Sequence, residues 1–143
     1  MALVARRDYT TETIKQRTIY SDFAGDFLFN ATTKNDIQSV TNEDSVKESI
    51  RNILFTNRGE RFFNPSLGSD LKQILFEPAS PATEKVLEDL ITTAINNFEP
   101  RANVLDVSVS SDDEQHLITA TIIFSIINKE QPIVFDIILN RIR

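Results

Sequence analysis

The stretch from Pro81 to Pro100 limits what this chain can fold into more than any other. Val86, Leu87, Leu90, Ile91, Ala94, Ile95 and Phe98 recur at i, i+3, i+4 spacing, the pattern of a helix with one apolar face. Pro81 suits a first turn, where no amide hydrogen is required, and Pro100 cannot continue the helix. Such a face has to be buried against something flat. Val104 to Ser110, His116 to Asn128 and Ile133 to Ile142 supply it: each is rich in β-branched or aromatic residues, and the polar turns Ser111 to Glu114 and Asn128 to Pro132 separate them. Ile118, Ala120, Ile122, Phe124 and Ile126 share one face of the second segment, and Ile133, Phe135, Ile137 and Leu139 share one face of the third. The expected fold is α+β: an antiparallel three-stranded C-terminal meander packed against two to three helices, with a short N-terminal hairpin.

Upstream, Thr41 or Asn42 is placed to cap a helix in which Val46, Ile50, Ile53 and Leu54 recur at helical spacing, and Gly59 is placed to close it. The loop "ERFFNPSLGSD" follows, with Phe62 and Phe63 expected to plug into the core and Ser69 or Asp70 to cap a short helix through Phe76. Apolar ends around "TTKND" predict a hairpin over residues 27 to 40. Residues 1 to 17 carry neither helical nor alternating patterning and are expected to form an arm ordered only on a partner, leaving 18 to 143 as a single domain.

The outer face of the last segment departs from simple alternation. Val134, Ile138 and Ile142 are apolar where solvent would favour polar groups, so this face is covered either by another chain or by another segment of this one.

Composition excludes several chemistries. A net charge of -6 opposes general binding to nucleic acid, which needs a basic face. With no Cys and one His, thiolate metal sites and histidine clusters are ruled out, and no metal or cofactor is expected. The glycines, Gly25, Gly59 and Gly68, lie too far apart for a phosphate-binding loop. No apolar run is long enough to span a bilayer, and the N-terminus lacks the hydrophobic stretch of a secretory signal. "TNRGER", residues 56 to 61, reads as a solvated basic helix end. Glu60, Asp70, Glu77 and Glu84 are the carboxylates available for a glycosidase-type pair, and His116 is the sole candidate base for nucleophilic catalysis. Neither set forms a recognisable catalytic motif, so no catalytic residue is assigned.

"NNFEPR", residues 96 to 101, poses a sharper problem, because Glu99 sits at the negative end of the helix dipole, where a cation is preferred. Pro100 makes the turn stiff. Glu99 and Arg101 are therefore expected to project outward and pair with charges on a partner, and replacing either with Ala is expected to cost under ~1 kcal/mol of stability.

"YSDF" at 20 to 23, "SIRNILFTNRGERFFNPSLGSDLKQILFEP" at 49 to 78 and "NNFEPR" at 96 to 101, ahead of a three-strand C-terminus, resemble in their order the baseplate wedge and tail-sheath initiator proteins of contractile phage tails. Relatives of that family serve in type VI secretion baseplates, and "YSDF" is most similar to the T4-like branch. The resemblance covers nearly all of the chain from Tyr20, while residues 1 to 17 have no counterpart in it. It implies a structural, non-enzymatic role in the virion tail baseplate, in several copies around a symmetric ring assembled in the host cytoplasm. Implied partners are wedge core proteins, sheath subunits and tube-proximal baseplate proteins, with neither nucleic acid nor membrane. Glu99, Pro100 and Arg101 would dock on the baseplate core, and Ile133, Val134, Phe135, Ile137, Ile138 and Leu139 would accept a sheath strand by β-addition. Some family members carry a lysozyme label, so a muramidase-type peptidoglycan hydrolase is the alternative.

Overall fold

The computed structural model describes residues 18–25, 37–78, 80–112, 117–127 and 129–140, without the side chain at 130. The expected arm over 1 to 17, His116, Ile142 and most of the hairpin expected over 27 to 40 lie outside these residues. In chain order the elements are β1 (Ser21–Phe23), β2 (Ser39–Thr41), α1 (Glu43–Phe55), α2 (Leu71–Ile74), α3 (Pro81–Phe98), β3 (Ala102–Asp112), β4 (Leu117–Ile126) and β5 (Lys129–Asn140). β1 and β2 pair antiparallel, with Asp22 opposite Val40, and β3-β4-β5 form an antiparallel sheet in sequence order. The architecture is the expected α+β, and the N-terminal pair is made by strands at 21–23 and 39–41.

α3 forms because each end is satisfied. Ser80 Oγ accepts the Thr83 amide at 3.1 Å, Pro81 occupies the first turn, and the apolar stripe buries Leu87, Ile91, Ala94 and Ile95. Val86, at the edge of the stripe, remains exposed. α3 lies against β3, and α1 and α2 pack on α3. Ala120, Ile122 and Phe124 of the central strand are wholly buried beneath them, and Ile118, Ile126, Ile137 and Leu139 extend the same layer. Ile133 and Phe135 are half-buried at its margin.

α1 buries Val46, Ile50, Ile53 and Leu54 as the spacing predicts, but both of its ends differ from expectation. Asn42 occupies the cap position with φ of 51°, and its Oδ1 accepts the Ile19 amide at 2.8 Å instead of capping the helix. The side chain thus ties the preceding segment to the helix start. At the other end α1 stops at Phe55, not Gly59, because Thr56 turns extended so that Asn57 can bridge to Ser69.

The largest correction concerns the loop. Phe62 and Phe63, expected as core plugs, are fully exposed. The loop closes on its own backbone: Gly59 N donates to Pro65 O at 2.8 Å, Leu67 N to Asn64 O at 3.2 Å, and Ser69 N to Thr56 O at 2.9 Å. Its base is held by the Ser69 hydroxyl, which donates to Leu54 O at 2.6 Å. Once the main chain is turned this way, both rings face solvent.

Candidate functional site

The turn between α3 and β3 is the most heavily engaged polar site among the described residues. Glu99 is the residue after the last helical turn, and its amide still donates to Ile95 O at 2.8 Å. Its side chain is 2% exposed. Arg101 reaches back from two residues on: Nε bonds Oε1 and Nη2 bonds Oε2, each at 2.7 Å, and the Arg101 amide adds a bond to Oε1 at 3.2 Å. This is the fork-to-fork geometry in which a guanidinium binds a carboxylate most strongly. The Ser49 hydroxyl of α1 bonds the same carboxylate. Burial works against the ionised form, but the Arg101 guanidinium, the Ser49 hydroxyl and the Arg101 amide outweigh it and hold Glu99 below the usual carboxylate range.

The expectation that Glu99 projects outward and finds its countercharge on a partner is therefore corrected. The acid misplaced for the helix dipole is compensated within the chain, because the stiff Pro100 turn directs Arg101 back across the helix end. The junction also collects other elements. The Arg101 guanidinium stacks over the Tyr20 ring at 5.3 Å from its centroid, and Arg101 O accepts the Ile127 amide at 3.2 Å. Segments before β1 and in α1 thus meet the ion pair itself, and the segment after β4 is tied to the Arg101 backbone. Pro100 is exposed, Arg101 is partly so, and Nη1 lies outside the pair with Glu99.

The second site is the sheet edge. Val134 and Ile138 are 57% and 62% exposed on the face away from the helices, opposite Ile123 and Thr119 of β4. Among the described residues no strand lies beyond β5. The opposite edge, β3, is different. Its outward amides at Val109 and Ser111 are taken by side chains of α3, Glu88 Oε1 at 3.3 Å and Glu84 Oε1 at 3.0 Å. Lys85 Nζ, 2.9 Å from Glu88, together with the Val109 amide, holds the Glu88 carboxyl below its ordinary range. The sequence reading missed these two acids as edge covers, although their spacing of one helical turn opposite alternate strand residues is the signal that would have found them.

The remaining carboxylate candidates are dispersed in their engagements. Glu84 serves Ser111, Glu60 Oε2 accepts the Asn57 amide at 2.9 Å, Asp70 pairs with Arg58 at 3.4 Å, and Glu77 is exposed. No group of three or more His, Cys, Asp or Glu among the described residues is arranged to hold a metal ion, and no described helix is long and apolar enough to cross a membrane.

Comparison with known proteins adds an independent line. The profile of the family described as "Baseplate wedge protein gp25" matches residues 40–131. The protein of that name from Enterobacteria phage T4 is 36% identical over 89 residues, covering 62% of this chain and 67% of that one. A Geobacter sulfurreducens protein, described provisionally as a tail lysozyme, has a similar crystal structure: TM-score 0.66 and 24% identity over 71% of this chain and 92% of that one. A chain of the anti-feeding prophage baseplate, seen by electron cryo-microscopy, matches with TM-score 0.60 and 18% identity over 87% of each chain. At these identities the two structural matches speak for the fold alone.

Proposed function

The chain belongs to the baseplate wedge protein gp25 family, and on that premise we propose that it is a structural, non-enzymatic subunit of the baseplate of a contractile tail, which templates the first ring of sheath subunits by β-strand addition. The observation that carries the templating role is the asymmetry of the two sheet edges. β3 has its Val109 and Ser111 amides occupied by Glu88 and Glu84, whereas β5 is the last strand of the sheet among the described residues and presents Val134 and Ile138. An added strand gains main-chain hydrogen bonds from the open edge and register from alternate side-chain contacts. The first ring of a sheath has no preceding ring to supply such strands, so a template on the baseplate is physically required.

Docking on the baseplate core is assigned to the turn at 99 to 101 in a modified form. Glu99 positions, and Pro100 with the Nη1 edge of the Arg101 guanidinium, which Glu99 does not occupy, touches the partner. A guanidinium already oriented by a carboxylate loses little further freedom on binding, which favours an acidic partner group.

Particles carrying Ile138→Lys test the templating role. The side chain points away from the core, so baseplates should assemble while tubes stay bare or bear short sheaths. Full-length sheaths at a normal rate would overturn it. The hydrolase alternative is tested in parallel: the purified chain should release no product from peptidoglycan, and clearance abolished by Glu60→Gln or Glu84→Gln would replace the structural reading with an enzymatic one.

A further inference from the structure

Neither surface assigned above uses the loop between α1 and α2, and its geometry is that of a recognition element. Two adjacent phenylalanines are held fully exposed on a segment whose ends are closed by the Asn57 to Ser69 bridge, and its interior bonds leave the backbone little freedom. Gly68 sits at φ of 123°, and a Cβ there would lie 2.5 Å from Thr56 O, so the closure depends on glycine. A flexible loop would collapse its aromatic rings onto the nearest apolar surface. This one is braced against doing so, which is the pre-organisation expected of a binding anchor. The loop leaves the C-terminal end of α1, while Asn42, at the N-terminal end, bonds the segment that carries Tyr20 to Arg101. The turn at 99 to 101 meets α1 at Ser49, about 9 Å back along the axis from Phe55 at 1.5 Å per residue, so the loop and that turn are separate surfaces.

Charge at the tip narrows the partner. Glu60 is turned back onto the Asn57 amide and Arg58 is paired with Asp70, which leaves Arg61 exposed beside the aromatic pair. A second copy of the chain fits poorly. Two clefts flanking α1 each hold one acid, Glu48 or Asp136, but Arg51 lines both and offsets that charge, so neither offers Arg61 a net negative rim. An anionic membrane is disfavoured by the net charge of -6. Resting on the baseplate reading above, we propose that Phe62 and Phe63 insert into an apolar socket with an acidic rim on a different subunit of the baseplate, forming a third contact separate from the turn at 99 to 101 and the β5 edge.

The test compares the wild-type chain with Phe62→Ser/Phe63→Ser and with Arg61→Glu, using as probe purified wedge subcomplexes that lack this chain. Both variants should melt at the wild-type temperature, since they alter only exposed side chains. Co-sedimentation should fall at least tenfold for the double variant and several-fold for Arg61→Glu. A photo-crosslinking phenylalanine analogue at position 63 should join a non-identical subunit at a peptide containing Asp or Glu. Wild-type binding with undiminished binding of the double variant overturns this inference alone, as does a crosslink to a second copy. Preferential binding to vesicles of phosphatidylethanolamine and phosphatidylglycerol overturns it in favour of a membrane. Failure of the wild-type chain itself to enter the subcomplex brings down the baseplate reading, and this contact with it.

Discussion

Glu99 is the residue whose environment departs furthest from its sequence position. At the negative end of a helix dipole an exposed acid is disfavoured by a few tenths of a kcal/mol, yet here it is almost wholly buried and bonded by Arg101 and Ser49. Truncating it leaves a partly buried guanidinium without its fork partner, so Glu99→Ala should cost about 2 kcal/mol, not the small loss expected of an exposed charge. Denaturant midpoints read this directly. Because the folded-state carboxyl is depressed below its ordinary value of 4.5, its contribution to stability is present above that value and is lost as pH falls through the depressed one. Glu99→Gln should therefore flatten the acid limb of stability as pH falls below the ordinary carboxylate value of 4.5, relative to wild type; an unchanged slope would show that the pair does not stabilise the fold. The pairing partner was legible two residues away in "EPR". The inward direction was not, because it depends on Ser49 and Tyr20, remote in sequence and brought in by packing.

At the level of elements, the helices and the meander were readable because periodicity reports burial directly: the α3 stripe and the β4 alternation correspond almost residue for residue to buried faces. What periodicity does not encode is where backbone groups find partners. Phe62 and Phe63 were misread for that reason, since their direction follows from loop closure between Thr56 and Ser69. Gly68→Ala, which combines a disfavoured φ with a clash against Thr56 O, should destabilise the chain by about 1–3 kcal/mol and raise hydrogen exchange first at Ser69 and Leu67. The edge covers make a separate prediction. Replacing Glu84 and Glu88 with Ala frees the outward amides of β3 and should produce concentration-dependent self-association in light scattering, where the wild-type edge is protected. A strictly monomeric double variant would mean that the two carboxylates do not guard that edge.

On the scale of the whole molecule, the proposed contacts fall on three separated places: the helix-to-sheet turn, the β5 edge of the sheet and a braced aromatic loop. The rigid layer of α3 on the sheet fixes the spacing of the first two, and the internally bonded loop fixes the third. A subunit that must bind the baseplate and start a sheath at once needs this division, because each partner then meets a surface that the other leaves free. Ile138→Lys should separate the functions, keeping the fold within about 0.5 kcal/mol of wild type while abolishing sheath growth. The most direct test of the account is an electron cryo-microscopy map of the intact particle before contraction. It should place this chain in the baseplate with a strand from a sheath subunit paired along β5 on the side away from β4. A map with β5 unpaired, or with the sheath strand added at β3, would contradict it.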